Sequence, residues 1–190
     1  MTTPVVLEVI TELDGHRARF EEFCRSLSPE ELDRQAPKST WFVRDFLADL
    51  ATIDIPVGEM FRAIHRGEDA GMRTPDGARV DIDNWNEQQV VERRKAGVES
   101  LLEEAARARR ELTGHLRALT EEDLARTLKF AGDSKRAAAE IPLGAYLRGW
   151  CKHDPMHAID MCRALPHWQS ELAPWFDDPV VQGYQRAMNK

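Results

Sequence analysis

The sequence of residues 41–64 is WFVRDFLADLATIDIPVGEMFRAI, and its apolar residues recur at intervals of three and four. They are Val43, Phe46, Leu47, Leu50, Ile53, Val57, Met60, Phe61 and Ile64. This spacing places one apolar stripe along a helix that packs against a protein core. We therefore predict a long helix that follows Lys38-Ser39-Thr40, bends at Pro56 because proline lacks a backbone donor, and ends at Gly67.

Helical periodicity continues along most of the chain, whereas strand-like alternation is nearly absent. The other predicted long helices run from Pro4 to Ser26, from Asp83 to Leu119 and from Pro142 to Leu165. Residues 67–83 are rich in Gly, Asp and Pro, and this composition predicts a long loop of the kind that forms lids and binding loops. The sequence thus predicts an all-α protein.

Two short segments indicate an internal repeat. LSPEEL at Leu27–Leu32 follows the first helix, and LTEEDL at Leu119–Leu124 follows the third. Each has Ser or Thr three residues before an acidic residue, the pattern that caps a helix start. Two such halves predict a four-helix bundle with short connecting helices, in which the second and fourth long helices are equivalent and face each other. We expect one domain over residues 1–190, with the bundle at about 5–165 and a C-terminal extension, 166–190, that packs back on it.

Composition excludes several classes of protein. The net charge of −7, without a stripe of Lys and Arg, argues against nucleic-acid binding. No apolar run approaches the length of about 18 residues that a membrane span needs. Residues Met1–Pro4 lack the basic and apolar regions of a secretion signal, so we expect a cytoplasmic protein. Three cysteines without a CxxC pair make a disulfide framework unexpected.

A candidate metal site combines His153, His157 and Asp49. The two histidines are four residues apart, which places both imidazoles on one helix face, one turn from each other. Asp49 interrupts the apolar stripe of the second helix, where an unpaired carboxylate is costly to bury. Two imidazoles and one carboxylate with an open position suit Zn²⁺, Ni²⁺ or Fe²⁺, and Asp160 is placed to hydrogen-bond a ligand ring or to bind directly. The alternatives are an ordinary pair of surface or core histidines and an aspartate paired with an arginine.

These residues also resemble a known family. Trp41–Leu50 resembles the motif of DinB-like proteins, in which a Trp and a helix cap precede apolar, basic and acidic residues and the sequence Leu-Ala-His-Leu. His153-x-x-x-His157 is similar to that family's second motif, on the last bundle helix. Asp83–Glu87, followed by an Arg- and Glu-rich helix, resembles the branch that contains the mycothiol-dependent maleylpyruvate isomerases. The resemblance covers most of residues 5–165.

The resemblance implies a four-helix bundle that binds one divalent metal through three ligands. By position these ligands are Asp49, His153 and His157. The first ligand is usually His in the family, and the isomerase branch has Glu where His153 stands. Asp at the first position lowers the net charge of the site and shifts its metal preference. Relative to the isomerase branch, the ligand types are exchanged between the two helices.

In characterised relatives the metal activates a low-molecular-weight thiol such as mycothiol or bacillithiol. The resemblance therefore implies a thiol-dependent transferase or isomerase acting on a small electrophile. Arg93 and Arg94 are candidates for orienting an anionic substrate, with solvated surface charges as the alternative. A metal-dependent hydrolase and a non-enzymatic, stress-related binding protein are the other functions considered, and a homodimer through bundle faces fits each of them.

Overall fold

The computed structural model of the protein describes residues 2–130 and 138–188. The described helices are α1 (Pro4–Ser26), α2 (Pro29–Leu32), α3 (Val43–Thr52), α4 (Asp54–His65), α5 (Ile82–Arg93), α6 (Val98–Ala118), α7 (Glu121–Ala125), α8 (Leu143–Trp150), α9 (His153–Ala164), α10 (Ala173–Phe176) and α11 (Pro179–Met188). Two short strands, β1 (Thr127–Phe130) and β2 (Ala139–Pro142), form an antiparallel hairpin. The predicted all-α class is confirmed.

The four columns of the bundle are α1, α6 and two broken helices, α3–α4 and α8–α9. Helices α3 and α4 both pack along α6, and α1 packs against α6 and α9. The large side chains at the centre are almost fully buried: Leu13, Phe20, Phe61, Leu112, Leu116 and Leu143. Removing this apolar surface from water is the main stabilising contribution to the bundle. The packing of the four columns confirms the four-helix bundle predicted from the periodicity.

Both breaks in the bundle helices lie just before a proline. The break between α3 and α4 is at Ile53, and that between α8 and α9 is at Cys151 and Lys152. Pro56 and Pro155 each occupy the third position of the following helix. A proline in the first turn costs no hydrogen bond, because that turn's N–H groups have no partner within the helix. The predicted bend is therefore present, but it precedes Pro56.

One prediction about secondary structure was wrong, and one pair of short elements was not predicted. The helix predicted from Asp83 to Leu119 is divided into α5 and α6, because the backbone at Gly97 is extended, with φ −74° and ψ 156°. This division lets α5 turn back and pack against α3. The hairpin of β1 and β2 was not predicted, since strands of four residues are too short to show a clear alternation.

The predicted loop is present between α4 and α5. Residues 74–77 form a tight turn in which the Gly77 N–H donates to the Thr74 carbonyl at 2.9 Å. Gly77 has φ of 90°, a conformation that glycine adopts without strain. No helix in the described part of the chain combines the length and apolar character needed to cross a membrane.

The internal repeat of the sequence is matched by equivalent backbone hydrogen bonds in the two halves. Helices α2 and α7 each begin with a capping box. After α2, the Val43 N–H donates to the Arg34 carbonyl at 2.9 Å, and after α7 the Leu143 N–H donates to the Arg126 carbonyl at the same distance. The two halves therefore use the same connection into α3 and α8, which makes these helices equivalent.

The repeat also forms a buried cluster of four charges that the sequence analysis missed. Arg17 donates from Nε and Nη2 to the Asp154 carboxylate at 2.8 and 3.1 Å. Arg109 donates to Asp54 Oδ2 at 2.6 Å and to Asp154 Oδ1 at 3.3 Å. Burial alone would raise the pKa of Asp154, but the two guanidinium groups hold it well below its usual range. Arg17 and Arg109 lie 92 positions apart, and Asp54 and Asp154 lie 100 apart, so each half supplies one cation and one anion.

The C-terminal extension packs back on the bundle, as predicted. Helices α10 and α11 contact α9. The Trp175 indole is buried and donates to His16 Nδ1 at 3.0 Å, and Asp178 forms an ion pair with Lys152 at 2.9 Å. The extension was predicted to reach residue 190; residues 189 and 190 lie outside the described range.

Candidate metal centre

The structure brings the three predicted ligands together. Asp49 lies in α3, while His153 begins α9 and His157 follows one turn later. Because α3 packs against α9, one ligand atom from each residue lies within 4.8 Å of the other two. Positions four apart on α9 point both imidazoles toward the same face, as the spacing predicted.

The polar atoms of this cluster lack the partners that buried groups normally have. Asp49 is fully buried, and neither of its carboxylate oxygens has a hydrogen-bond partner among the residues that the structure describes. His157 Nε2 lies 3.2 Å from Asp49 Oδ2, an ion-pair distance without the alignment of a hydrogen bond. The Nδ1 atom of His153 is also buried without a partner. A buried carboxylate without hydrogen bonds is costly, and a cation among these atoms would remove that cost, so the donor set fits a divalent metal.

The two histidines differ in protonation. Burial lowers the pKa of His153 to about 3, and the neighbouring His157 acts in the same direction. Burial would also lower the pKa of His157, but the carboxylates of Asp160 and Asp49 outweigh it and raise that pKa to about 10. His153 is therefore neutral near pH 7 and has a free lone pair, whereas His157 carries a proton that a metal must displace.

Asp160 lies behind His157, on the side away from Asp49. Its Oδ2 is 3.5 Å from His157 Nδ1, and its Oδ1 is 3.6 Å from Arg163 Nη2. Tyr184 in α11 donates its hydroxyl to Asp160 Oδ2 at 2.6 Å. A carboxylate at the second nitrogen of a metal-binding imidazole is the usual means of fixing the ring. The location of Asp160 agrees with that predicted role.

Aromatic rings enclose both histidines. Trp150 stacks on His153 with centroids 4.4 Å apart, and Phe46 lies 5.6 Å from His157. Trp41 packs edge-on against Phe46. These rings restrict rotation of the imidazoles and reduce the access of water, which strengthens electrostatic interactions at the site. Trp150, three residues before His153, could have been found from helical spacing.

The predicted substrate-binding arginines are engaged in ion pairs. Arg93 donates to both oxygens of Glu104 at 2.9 and 2.8 Å. Arg94 donates to both oxygens of Asp45 at 3.4 Å. Within the described part of the chain, neither arginine has a hydrogen bond or ion pair with a residue of the metal cluster. The structure therefore gives no support to a role for Arg93 or Arg94 in binding substrate.

The contact of Tyr184 with Asp160 was not predicted from the sequence. Tyr184 lies in the C-terminal extension, 24 positions after its partner Asp160, and no local pattern marks it. Only the packing of α11 on α9 brings the two together.

Comparison with known proteins gives the family of this chain. It is similar in structure to a mycothiol-dependent maleylpyruvate isomerase, with a TM-score of 0.60 and 13% identity over 82% of this chain and 60% of that one. It is also similar to YfiT from Bacillus subtilis, described as a probable metal-dependent hydrolase with an unusual four-helix bundle topology; the TM-score is 0.61, with 18% identity over 87% of this chain and 90% of that one. None of the curated proteins compared matches significantly.

At these identities the likeness shows the fold alone, and the chain spans about 60% of the length of the isomerase. The sequence profile of the DinB superfamily matches residues 12–161, which include the three clustered side chains. By that match, the chain belongs to the DinB superfamily.

Proposed function

We propose that the protein is a divalent-metal-dependent enzyme that transfers or isomerises a small electrophile with a low-molecular-weight thiol. One observation supports this most directly. One ligand atom each of Asp49, His153 and His157 lies within 4.8 Å of the other two, and within residues 2–130 and 138–188 the buried carboxylate of Asp49 has no hydrogen-bond partner. Three protein ligands leave a further coordination position open, which is the arrangement of catalytic rather than structural zinc sites.

A divalent ion held there would lower the pKa of a thiol at its open position and so supply a nucleophile near neutral pH. The chain's own residues prepare this chemistry. Asp49 contributes the negative charge that attracts the cation, and the low pKa of His153 keeps that imidazole neutral and able to coordinate. Phe46 and Trp150 limit the water that reaches the histidines. Mycothiol and bacillithiol are the candidate thiols, in line with the similarity to a mycothiol-dependent isomerase.

A metal-dependent hydrolase is the second candidate. The open position would bind water as readily as a thiol, and YfiT, which has a similar fold, is described as a probable metal-dependent hydrolase. The two functions share the three ligands and differ in the nucleophile. They must therefore be separated by an assay of activity.

Metal analysis of protein purified without a histidine tag tests the shared requirement. We expect about one Zn²⁺, Ni²⁺ or Fe²⁺ per chain, lost in His157→Ala with little change in helix content, because the apolar core does not depend on the ion. His167→Ala is the matched control, since His167 is exposed and pairs with Glu31 on another surface. Full metal content in His157→Ala would rule out the ligand assignment.

Activity of the metal-loaded protein then decides between the nucleophiles. Conjugation of monochlorobimane with mycothiol, bacillithiol or glutathione supports the transferase. Ester or amide hydrolysis without any thiol reaction supports the hydrolase instead. A metal closed off by four protein ligands, with neither reaction, would support the non-enzymatic alternative.

A further inference from the structure

The C-terminal extension contacts the metal centre through Tyr184. The Tyr184 hydroxyl donates to Asp160 Oδ2 at 2.6 Å, and this same oxygen is the one nearest to His157 Nδ1. Asp160 is only 6% exposed, so water does not readily replace the tyrosine as its partner. The superfamily match ends at residue 161, and Tyr184 therefore lies in a segment outside it.

The position of Tyr184 is fixed by other contacts of α11. Asp178, just before the helix, accepts the backbone N–H groups of Val180 and Val181 at 2.8 and 3.2 Å and so caps its start. Asp178 also pairs with Lys152, the residue immediately before His153, at 2.9 Å. Helix α11 is thus tied to the start of α9 by one contact and to Asp160 by another. These contacts hold α11 beside α9, where Tyr184 reaches Asp160.

Asp160 has two competing neighbours on its own helix. His157 precedes it by three residues and lies 3.5 Å from Oδ2, while Arg163 follows by three and lies 3.6 Å from Oδ1. Neither contact is close enough to fix the carboxylate by itself. The 2.6 Å bond from Tyr184 is the shortest of the three, so it determines which oxygen faces His157.

We propose that Tyr184 is a positioning residue whose hydroxyl holds the Asp160 carboxylate toward His157 Nδ1. The ion-pair attraction of that carboxylate for the ring, across 3.5 Å, then favours the orientation in which Nε2 faces Asp49 and the metal position. The effect of Tyr184 on metal retention rests on the proposed function. The orientation of the His157 ring can also be measured without metal.

Tyr184→Phe removes the hydroxyl and retains the ring. The readout is the first-order rate at which bound Zn²⁺ passes to excess chelator, measured where this rate no longer depends on chelator concentration. We expect release about three- to tenfold faster in Tyr184→Phe and about 10- to 100-fold faster in Asp160→Asn, since partners of ligand histidines contribute on this scale. Tyr146→Phe is the control, because Tyr146 has no hydrogen bond to Asp160 in the described part of the chain, and it should release at the wild-type rate.

A double variant separates positioning from general packing. If Tyr184 acts through Asp160, adding Tyr184→Phe to Asp160→Asn should change release by less than about twofold, because the two effects are then not additive. A merely structural tyrosine would give the same increase in both backgrounds. That additive result, or a wild-type rate in Tyr184→Phe, would overturn the proposal.

A metal-free measurement keeps this inference distinct from the proposed function. In the metal-free protein the NMR signal of the His157 Nδ1 proton should shift or broaden in Tyr184→Phe and remain unchanged in Tyr146→Phe. Wild-type protein that binds no metal but shows this change would refute the metal function and retain the positioning role. An unchanged signal in Tyr184→Phe would refute the positioning role whether or not metal binds.

Discussion

Binding of a divalent metal should release one proton from His157. The carboxylates of Asp160 and Asp49 raise the pKa of His157 to about 10, while burial lowers that of His153 to about 3. At pH 6 in the metal-free protein, His157 is therefore a doubly protonated imidazolium and His153 is a neutral imidazole. Zn²⁺ needs a neutral imidazole, so binding must displace one proton of His157.

The pKa of His157 determines how strongly protons compete with the metal for its imidazole. A value four units above pH 6 weakens apparent metal binding by about ten-thousandfold, or about 5 kcal/mol, since each unit is worth about 1.4 kcal/mol. The apparent Kd should then tighten about tenfold per pH unit from pH 6 to 9. Two histidines with ordinary pKa values would instead release about 1.5 protons at pH 6, and their affinity would level off above about pH 7.5.

Isothermal titration calorimetry measures the proton release directly. Zn²⁺ is titrated into metal-free protein at pH 6 in two buffers of different ionisation enthalpy, and the difference in observed heat gives the number of protons. Asp160→Asn is the matched variant, since it keeps all three ligands but removes one carboxylate that raises the pKa of His157. Its affinity should level off at a lower pH than that of the wild type. Release of nearly zero or of about 1.5 protons, or an affinity that is flat between pH 7.5 and 9, would contradict a pKa of about 10 for His157.

Two further predictions concern stability. Among the described residues, Arg109→Met leaves Asp54 with one ion pair, the 3.6 Å contact to Arg17, and should lower the free energy of unfolding in urea by about 3–5 kcal/mol. Arg107→Met on the exposed face of α6 should change it by no more than about 0.5 kcal/mol. A loss under about 1 kcal/mol for Arg109→Met would show that the buried cluster is not needed. His153 and His157 should give the metal-free protein a stability maximum near pH 6.5. The raised pKa of His157 contributes stability that is complete below about pH 6.5 and is lost as the pH rises toward 10. The lowered pKa of His153 contributes stability that is complete above about pH 6.5 and is lost as the pH falls toward 3. Urea unfolding from pH 5 to 9 checks this, and a stability that keeps rising to pH 9 would contradict it.

The four-helix bundle could be predicted from the sequence because its signals are local. The apolar stripe of residues 41–64 and the two capping segments each depend on neighbours three or four positions apart, and these spacings are fixed by helix geometry. The division of the third helix at Gly97 and the β hairpin were not predicted. Glycine is permissive of several conformations, so its presence alone did not indicate where the helix would end.

Helical periodicity alone is enough to place His153 and His157 on one helix face and to show that Asp49 interrupts an apolar stripe. The convergence of these three side chains and the ion pairs of Arg93 and Arg94 depend instead on how the helices pack. The same packing causes the opposite pKa shifts of His153 and His157 and brings Tyr184 to Asp160. These properties depend on burial and on distances between residues that are far apart in the chain. The packing of α9 against α3 and α11 sets those distances, and they cannot be inferred from local spacing in the sequence.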